Sequence, residues 1–266
     1  SYGAHSNLCV NQIHRNGTEE QKHKYLPKLV SGEHIGALAM SEPNAGSDVV
    51  SMKLRADKRG DHYVLNGSKT FISNGGKADY YLVFGKWSEI DDSKASISAL
   101  ILEKDTPGFS TGKPEDKMGM RASSTTPLNF DSCRVPRANL LGEPGDGLRI
   151  LLQSLNKSRP SVAAHALGIA RAAFEDATAY INQRHQSGRA IIGFQGIQFL
   201  LSDMATDLAL CEGWLWHVAR MVDDGADDFG VEASLLKMRA GDVAMRITTD
   251  AVQLYGGYGY IKDNRV

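Results

Sequence analysis

The chain has 266 residues, of which 42% are hydrophobic and 23% are charged, and its formal net charge is -1. These values are typical of a globular protein with room for one large domain or two smaller ones. The near-neutral charge gives no general attraction to nucleic acid or to an anionic membrane surface. No apolar run approaches the roughly 20 residues of a membrane-spanning helix. We therefore expect neither a nucleic-acid partner nor a membrane span.

Residues 1–33 are predicted to be helical. Thr18 is followed three residues later by Gln21, which is the pattern of a capping box at a helix N-terminus. Apolar positions follow, interrupted by Pro27, and Gly32 is the residue type that ends a helix. We interpret this segment as the end of a helical domain.

Between residues 34 and 142 the pattern changes to short strands. Five segments have alternating or continuous apolar positions bounded by polar turns: 51–57, 62–66, 80–86, 97–102 and 128–133. The first two flank a four-residue polar turn and predict a hairpin. Because no helical stretch separates the segments, we expect them to pair largely antiparallel, as a barrel or sandwich.

From residue 143 to residue 266 the pattern is helical again. Four segments are long and amphipathic: 148–157, 161–184, 194–224 and 231–255. Short polar loops join them, which predicts an antiparallel helix bundle. The whole chain is therefore expected to be an α+β protein with three parts, at residues 1–33, 34–142 and 143–266.

Cysteine and histidine spacing indicates neither a disulfide framework nor a metal site. The three cysteines, Cys9, Cys133 and Cys211, are far apart and include no CxxC pair. The eight histidines include no HExxH motif and no cluster with acidic residues. We expect free thiols, a reducing compartment and no metal ion.

Residues 108–112 match the G-x-S-x-G pattern of hydrolase nucleophiles, with Ser110 at the centre. In hydrolases this turn leads from a strand directly into a helix. Here Pro107 precedes the motif and Lys113-Pro114 follows it, so that Ser110 is expected between turns. This context disfavours a hydrolase.

Two turns rich in small residues follow apolar runs. Residues 41–48 follow the run 37–40, and residues 73–76 follow Phe71 and Ile72. Such turns expose backbone N–H groups and short hydroxyls, so that a flat, anionic cofactor can approach closely. Taken alone, residues 41–48 can equally be a surface loop without function.

In register, these two turns resemble the flavin-binding loops of acyl-CoA dehydrogenases, and the resemblance extends over the whole chain. It implies FAD as the cofactor. Met40 and Ser41 would bond the pyrimidine edge of the isoalloxazine ring through a backbone N–H and a hydroxyl, and Ser47 of the same turn is also predicted to contact the cofactor. Phe71 would cover one ring face, and the next residue, Ile72, is also predicted to contact the cofactor. Ser73 would lie at the flavin N5 atom, which receives hydride. Fixed donors near N1 and O2 suit the negative charge that grows there on reduction.

The same resemblance implies a binding site for an acyl-CoA substrate. Four residues are predicted to contribute: Ser47, Asn156, Ser158 and Arg159. In the family, the stretch corresponding to residues 156–160 lines the acyl-CoA channel, and its arginine approaches the CoA part. Taken alone, this stretch predicts a helix start, with Ser158 as the cap and Pro160 near the first turn. The two interpretations are compatible.

The resemblance further implies contacts to the FAD of a neighbouring subunit. Five residues are predicted to make them: Arg184, Gln195, Gln253, Gly256 and Gly257. An arginine suits the pyrophosphate because its planar group donates two parallel hydrogen bonds. Ser187 stands where the family usually has phenylalanine. Since each FAD would be shared, the resemblance implies a homodimer or homotetramer.

The reaction implied is α,β-dehydrogenation of an acyl-CoA thioester, with hydride passing to FAD N5 and electrons passing to electron-transfer flavoprotein. Most family members carry the glutamate base in a segment that would follow Val266. A minority carry it at a position corresponding to Ser158, which cannot act as that base. We therefore assign no catalytic residue within this chain and expect it to be truncated at both ends.

Two alternatives to a dehydrogenase remain open. An acyl-CoA oxidase differs in letting oxygen reach the reduced flavin. A non-catalytic or DNA-binding relative with the same fold would carry a basic groove on its helical part, which the near-zero net charge disfavours. The compartment expected for the leading interpretation is a bacterial cytoplasm or a mitochondrial matrix.

Overall fold

The N-terminal helices and the central sheet form one unit of the structure, and the C-terminal helices form another. The structure is a computed structural model that describes residues 1–88, 96–226 and 228–266. We call Ser1–Leu155 the β unit and Asn156–Val266 the helical unit. In the described ranges, no helix combines the length and the apolar character that crossing a membrane requires.

The N-terminal segment is helical, as predicted. A π-helical stretch at Ala4–Val10 leads into α1 (Asn11–Asn16), and α2 spans Glu19–Ser31. The Thr18 hydroxyl accepts a hydrogen bond from the Gln21 N–H, and the Gln21 side chain accepts one from the Thr18 N–H. The predicted capping box is therefore confirmed.

Eight strands of the β unit belong to one sheet. They are β1 (Gly36–Ala39), β2 (Arg55–Arg59), β3 (His62–Ser73), β4 (Tyr80–Trp87), β5 (Ile97–Glu103), β6 (Phe109–Thr111), β7 (Thr125–Pro136) and β8 (Leu140–Leu141). The order is β6-β7-β3-β2-β4-β5-β8, with β1 attached to β4. Among the described residues, no pairing joins the end strands β6 and β8.

Most strand pairs are antiparallel, as predicted, and the β2–β3 hairpin is confirmed. Two pairs are parallel, because β1 and β2 both run in the direction of β4. A parallel pair needs a crossover instead of a tight hairpin. The chain between β1 and β4 makes this crossover, and it contains both of the small-residue turns singled out in the sequence.

The central strand β4 is buried along almost its whole length. Its residues alternate between two cores: Tyr81 belongs to the cluster that includes Leu65 of β3, and Leu82 belongs to the cluster that includes Tyr25 and Leu29 of α2. A strand covered on both faces has a continuous apolar sequence, which is the pattern of residues 80–86. Both faces of the sheet are therefore packed. This packing fixes the positions of β1 and β3, the strands that lead to the candidate site.

Three long helices follow the sheet, namely α3 (Gly147–Gln183), α4 (Gln195–Asp223) and α5 (Gly230–Tyr255). The sequence prediction of two helices at 148–157 and 161–184 was wrong, because α3 is continuous.

Pro160 lies inside α3, and Ser158 is therefore not a helix cap. A proline in a helix interior removes one backbone hydrogen bond and costs roughly 3 kcal/mol. Buried apolar residues occur on both sides of it, including Leu151 before and Ala163 after. Packing of such a face supplies most of the stability of a helix in a protein, and here it outweighs the local signal.

A two-stranded hairpin separates α3 from α4, made of β9 (His185–Gln186) and β10 (Arg189–Ala190). Its two turn residues, Ser187 and Gly188, have φ values of 53° and 79°. Two successive positive φ values are typical of the tight turns that match the twist of a hairpin. The hairpin follows Arg184 directly and leads to the start of α4.

Candidate cofactor site

In the β unit, the backbone joins the two predicted cofactor turns. The Thr70 N–H donates a hydrogen bond to the Ser41 carbonyl over 2.9 Å. Ser41 lies just after β1, and Thr70 precedes the last residues of β3. The structure therefore brings the Met40–Ser41 segment next to the strand end that carries Phe71 and Ser73.

The Ser41 and Ser73 hydroxyls are available to a ligand. Both residues are half-buried, and neither hydroxyl forms a hydrogen bond in the parts of the chain that the structure describes. Two unpaired hydroxyls on adjoining segments fit the polar edge of a bound cofactor.

Phe71 has an unusual backbone conformation. Its φ is 56°, and 67% of the residue is exposed. The β3–β7 register shifts between Lys69 and Ile72, so that Phe71 lies in a bulge. A bulky residue at positive φ is strained, and such strain often occurs at ligand sites, as do bulges that turn a side chain out of a sheet. The exposed ring suits the face of a flat ligand.

The Ile72 side chain, unlike the Phe71 ring, is not accessible to a ligand. Only 3% of the residue is exposed, and it belongs to the sheet core. Only the backbone of Ile72 can therefore contact a cofactor. Its neighbour Ser73 is opposite Thr125 of β7, which fixes the end of the strand.

Sequence reasoning missed the role of Asn74, which anchors the turn after Ser73. Its Nδ2 donates to the Gly36 carbonyl over 3.0 Å and to the Ser1 carbonyl over 3.1 Å. Its N–H donates to the Ser124 carbonyl, and its φ is 63°. Asparagine tolerates this left-handed conformation better than most residues, which was the available signal.

Sequence reasoning also missed a buried ion pair between Glu42 and Lys69. Lys69 Nζ donates to Glu42 Oε1 over 2.8 Å and to the Met40 carbonyl over 2.9 Å, and the two side chains are 0% and 7% exposed. The Glu42 carboxylate also accepts from the N–H groups of Lys53 and Leu54 over 2.6 and 3.0 Å. The available signal in the sequence was Lys69, a charged residue at an inward-facing position of a strand.

Burial and pairing act in opposite directions on these two groups. Burial lowers the pKa of Lys69 to about 8, although the charge of Glu42 and the hydrogen bond to it favour the ammonium form. Burial disfavours the ionised Glu42 carboxylate, but Lys69 and the two backbone donors outweigh burial and lower its pKa. The pair is therefore an ammonium and a carboxylate at neutral pH.

The predicted substrate residues lie in both units. Ser47 is exposed in the turn after β1, in the β unit. Asn156, Ser158 and Arg159 are half-buried on α3, in the helical unit, where an Arg159 Nη1 donates to the Asn156 Oδ1. The Asn156 amide also lies against Gly230 at the start of α5, where an added Cβ would be 3.2 Å from its Nδ2.

In the helical unit, an open cavity of about 910 Å³ gathers four of the five residues predicted at the second FAD site. Its lining includes Arg184, Gln253, Gly256 and Gly257. The fifth, Gln195, is exposed at the start of α4, between two lining residues.

The Arg184 guanidinium lies at the edge of this cavity. Its Cζ is 5.8 Å from the ring centroid of Tyr258, a distance at which a cation–π attraction is significant. Arg184 is exposed, and its side chain forms no ion pair with another residue in the described ranges. Its donors are therefore available to an anionic group.

Three further sequence predictions concern cysteines, metals and the hydrolase-like motif. Cys9, Cys133 and Cys211 are free and buried, and burial raises the pKa of Cys9 to about 12 and that of Cys133 to about 11. Within the described ranges, no three acidic, histidine or cysteine residues form a metal-binding group. Ser110 lies in β6, and no helix follows that strand directly, so the hydrolase geometry is not formed.

Comparison with known proteins matches these features to one family. The family models for acyl-CoA dehydrogenase match residues 1–33 (N-terminal domain), 37–133 (middle domain) and 145–266 (C-terminal domain). An acyl-CoA dehydrogenase of Bacillus subtilis (strain 168) is 49% identical over 259 residues, which are 97% of this chain and 68% of that protein. Mitochondrial isovaleryl-CoA dehydrogenase of Pongo abelii is 47% identical over 265 residues, which are 99% and 62%.

The fold agrees with a solved structure of the same family. The structure of butyryl-CoA dehydrogenase from Megasphaera elsdenii matches with a TM-score of 0.95 and 45% identity, over 98% of this chain and 68% of that one. The chain belongs to the acyl-CoA dehydrogenase family, whose members are FAD-dependent enzymes. It spans between 62% and 68% of the length of these three proteins. The α+β fold class and the cofactor expected from the sequence are confirmed at the level of the family.

Proposed function

We propose that this protein takes part in the α,β-dehydrogenation of an acyl-CoA thioester. The observation that carries the proposal is the junction at the end of β3. There the Thr70–Ser41 hydrogen bond joins two segments with unpaired hydroxyls, and the exposed ring of Phe71 lies on one of them. This combination supplies donors and an aromatic surface for a flat, polar-edged ring. When bound, FAD supplies the hydride acceptor, its N5 atom.

Each residue of the junction has a separate task in this proposal. Met40 and Ser41 bind the polar edge of the flavin ring through a backbone N–H and a hydroxyl. Phe71 covers one face of the ring and excludes water from it, and Ser73 orients the ring through its hydroxyl. Donors fixed before the reaction stabilise charge that develops during it, because they need no reorganisation. Asn74 contributes by fixing the turn after Ser73.

The helical unit supplies a second binding element. Arg184 and the backbone of Gly256–Gly257 line one cavity, which suits a pyrophosphate because arginine donates two parallel hydrogen bonds and glycine permits close approach. Gln253 lines the same cavity, and Gln195 lies beside it. By its resemblance to the family, this cavity takes the FAD of a neighbouring subunit, in a homodimer or homotetramer.

The substrate proposed is an acyl-CoA thioester, the class named in the relatives that act on isovaleryl-CoA and butyryl-CoA. Ser47, Asn156, Ser158 and Arg159 are proposed to contact it, with the Arg159 guanidinium oriented by Asn156. Electron-transfer flavoprotein is the proposed electron acceptor. The proposed compartment is a bacterial cytoplasm or a mitochondrial matrix, because the relatives include a bacterial enzyme and a mitochondrial one.

The first test is flavin content in the protein expressed at its natural full length. We expect a yellow protein that releases FAD on denaturation and reduces electron-transfer flavoprotein when given an acyl-CoA. A colourless protein that takes up no FAD contradicts the proposal. Oxygen consumption in place of electron transfer to the flavoprotein would identify the oxidase alternative.

The second test uses Ser73→Ala, which removes one unpaired hydroxyl. We expect slower flavin reduction in single-turnover experiments at nearly unchanged substrate affinity, because the hydroxyl acts where charge develops. Ser110→Ala is the matched control, since Ser110 is an exposed strand serine outside the proposed site. If the rate and the affinity of Ser73→Ala fall by the same factor, Ser73 does not act in the hydride step.

A further inference from the structure

The Glu42–Lys69 pair joins the two segments that carry the proposed flavin donors. Lys69 Nζ reaches back from β3 to the Met40 carbonyl, over 2.9 Å, and to Glu42, over 2.8 Å. The next residue of β3, Thr70, donates to the Ser41 carbonyl. Three successive residues after β1 are thus bonded to two successive residues of β3. These bonds hold the segment that carries Ser41 against the strand that ends at Ser73.

The opposite side of the pair is fixed as well. The Glu42 carboxylate accepts the N–H groups of Lys53 and Leu54, which precede β2. The Lys69 ammonium is 3.9 Å from the Met52 sulfur in the same segment. Three separate stretches of chain therefore meet at one buried pair of charges. A buried network with most of its donors and acceptors paired is rigid and specifies one arrangement.

Stability alone is a weak explanation for a pair in this position. Moving two charges out of water is expensive, and replacing a buried ion pair with well-packed hydrophobic residues of similar size is often neutral or even stabilising. The contacts of this pair converge on the segment after β1, where the candidate site lies. At 2.8 Å the two charges also largely neutralise each other, so that the pair acts mainly on position.

We propose that the Glu42–Lys69 pair is a positioning pair for cofactor binding, which fixes the Met40–Ser41 segment against the end of β3. This inference rests on the proposed FAD site. Lys69 acts through the Met40 carbonyl, and Glu42 acts by anchoring Lys69 to the 52–54 segment. Neither side chain is assigned a contact with the reacting atoms.

The test compares three variants of the protein at its natural full length. Lys69→Met removes the ammonium and leaves the buried Glu42 carboxylate without a cationic partner, with only its two backbone donors. The double variant Lys69→Met with Glu42→Gln removes both charges and keeps an acceptor for the backbone donors. Lys104→Met is the matched control, because Lys104 forms a 2.7 Å pair with Asp79 in the same unit but is exposed.

Each variant is measured by denaturant unfolding of the apoprotein, by the dissociation constant for FAD, and by the visible absorption of bound flavin. We expect the double variant to recover most of the stability that Lys69→Met loses. Its dissociation constant for FAD should still be at least about tenfold higher than that of the wild type, with an altered flavin spectrum. Lys104→Met should change neither property of the bound flavin.

A double variant that binds FAD with wild-type affinity and spectrum overturns the positioning role and leaves the proposed function intact. A wild-type protein that binds no FAD overturns both. Should the double variant not fold, Glu42→Gln decides alone, because it keeps an acceptor but loses the charge that anchors Lys69. Weaker FAD binding by that folded variant supports the inference, and unchanged binding contradicts it.

Discussion

The two units present their candidate site residues in different ways. In the β unit, Ser41 and Ser73 lie directly beside buried side chains that fix the backbone around them, namely Glu42, Lys69 and Asn74. In the helical unit, Arg184 and Gln253 are exposed at helix ends around an open cavity. The difference indicates that the β unit holds its part of the site on a backbone that its own core fixes. The helical unit offers donors that a ligand has to organise.

This contrast predicts that stability and ligand binding are coupled in the β unit and separate in the helical unit. A substitution behind the β-unit site should affect both properties, because the same bonds serve both. A substitution at the helical cavity should affect ligand binding alone, because exposed side chains contribute little to folding. Three comparisons between the units and one within the helical unit test this.

The largest expected effect is that of breaking an ion pair in each unit. Lys69→Met should lower the free energy of unfolding of the β unit by about 3–5 kcal/mol, because it leaves a buried carboxylate unpaired. Arg239→Met should cost less than about 1 kcal/mol, because its 3.3 Å pair with Asp207 is solvent-exposed on the arginine side. Urea unfolding followed by circular dichroism measures both, and equal losses would contradict the contrast.

The second comparison adds a methyl group to one glycine in each unit. A Cβ at Gly75 would lie 2.1 Å from the Thr126 Oγ1 and 2.7 Å from the Ile72 carbonyl, whereas a Cβ at Gly257 would meet nothing within 4 Å. Gly75→Ala should therefore cost about 1–3 kcal/mol through overpacking. Gly257→Ala should stay within about 0.5 kcal/mol of the wild type. Thermal unfolding of the two variants side by side decides whether close packing behind the site is confined to the β unit.

Local patterns in the sequence were sufficient to predict several elements of the fold. The Thr18–Gln21 capping box and the β2–β3 hairpin depend on residues close in sequence, and both are confirmed. The continuous helix through Pro160 was not predicted, because tertiary packing overrides a local break signal and no single-sequence pattern reports that packing.

The candidate site was predicted unevenly for the same reason. Ser41 and Ser73 were identified from their turns and from the family resemblance, and a backbone bond brings their segments together. The Glu42–Lys69 pair was missed, since its members are 27 positions apart and meet only through the crossover and the bulge in β3. Long-range pairing of this kind leaves no periodic pattern in the sequence. Arg184 and Gln253 were associated by resemblance, and the geometry that joins them is visible only in the fold.

The third comparison uses pH, since both units contain carboxylates with lowered pKa values. Lys69 and two backbone donors outweigh burial and lower the pKa of Glu42, and the hydrogen bond from Arg265 lowers the pKa of Asp176. A carboxylate whose pKa is lower in the folded state contributes stability above its unfolded pKa. That stability is lost as the pH falls through the lower, folded value.

Acid unfolding should therefore depend on both groups, but salt should distinguish them. The Arg265–Asp176 pair is largely exposed on the arginine side, so that added salt screens it, while the buried Glu42 is screened much less. At high salt, Glu42→Gln should reduce the loss of stability that occurs as the pH falls. Asp176→Asn should reduce this loss only at low salt. A salt-sensitive effect of Glu42→Gln would contradict the assignment of its stability to a buried pair.

The smallest expected change in stability is that of Arg184→Ala in the helical unit. The side chain is exposed and forms no ion pair within the described ranges, so the free energy of unfolding should change by less than about 0.5 kcal/mol. FAD affinity should fall by roughly 10- to 100-fold, because a hydrogen bond to a charged group contributes about 1.5–3 kcal/mol.

The matched control for Arg184→Ala is Arg189→Ala, on the hairpin that follows Arg184. The Arg189 guanidinium lies over the Phe194 ring at 4.0 Å and is outside the cavity lining, so its loss should leave FAD affinity unchanged. Titration of apoprotein with FAD measures both variants. If both weaken binding equally, general positive charge attracts the cofactor and Arg184 has no specific contact. If only Arg184→Ala does so, the helical unit contributes a binding group that its own folding does not require.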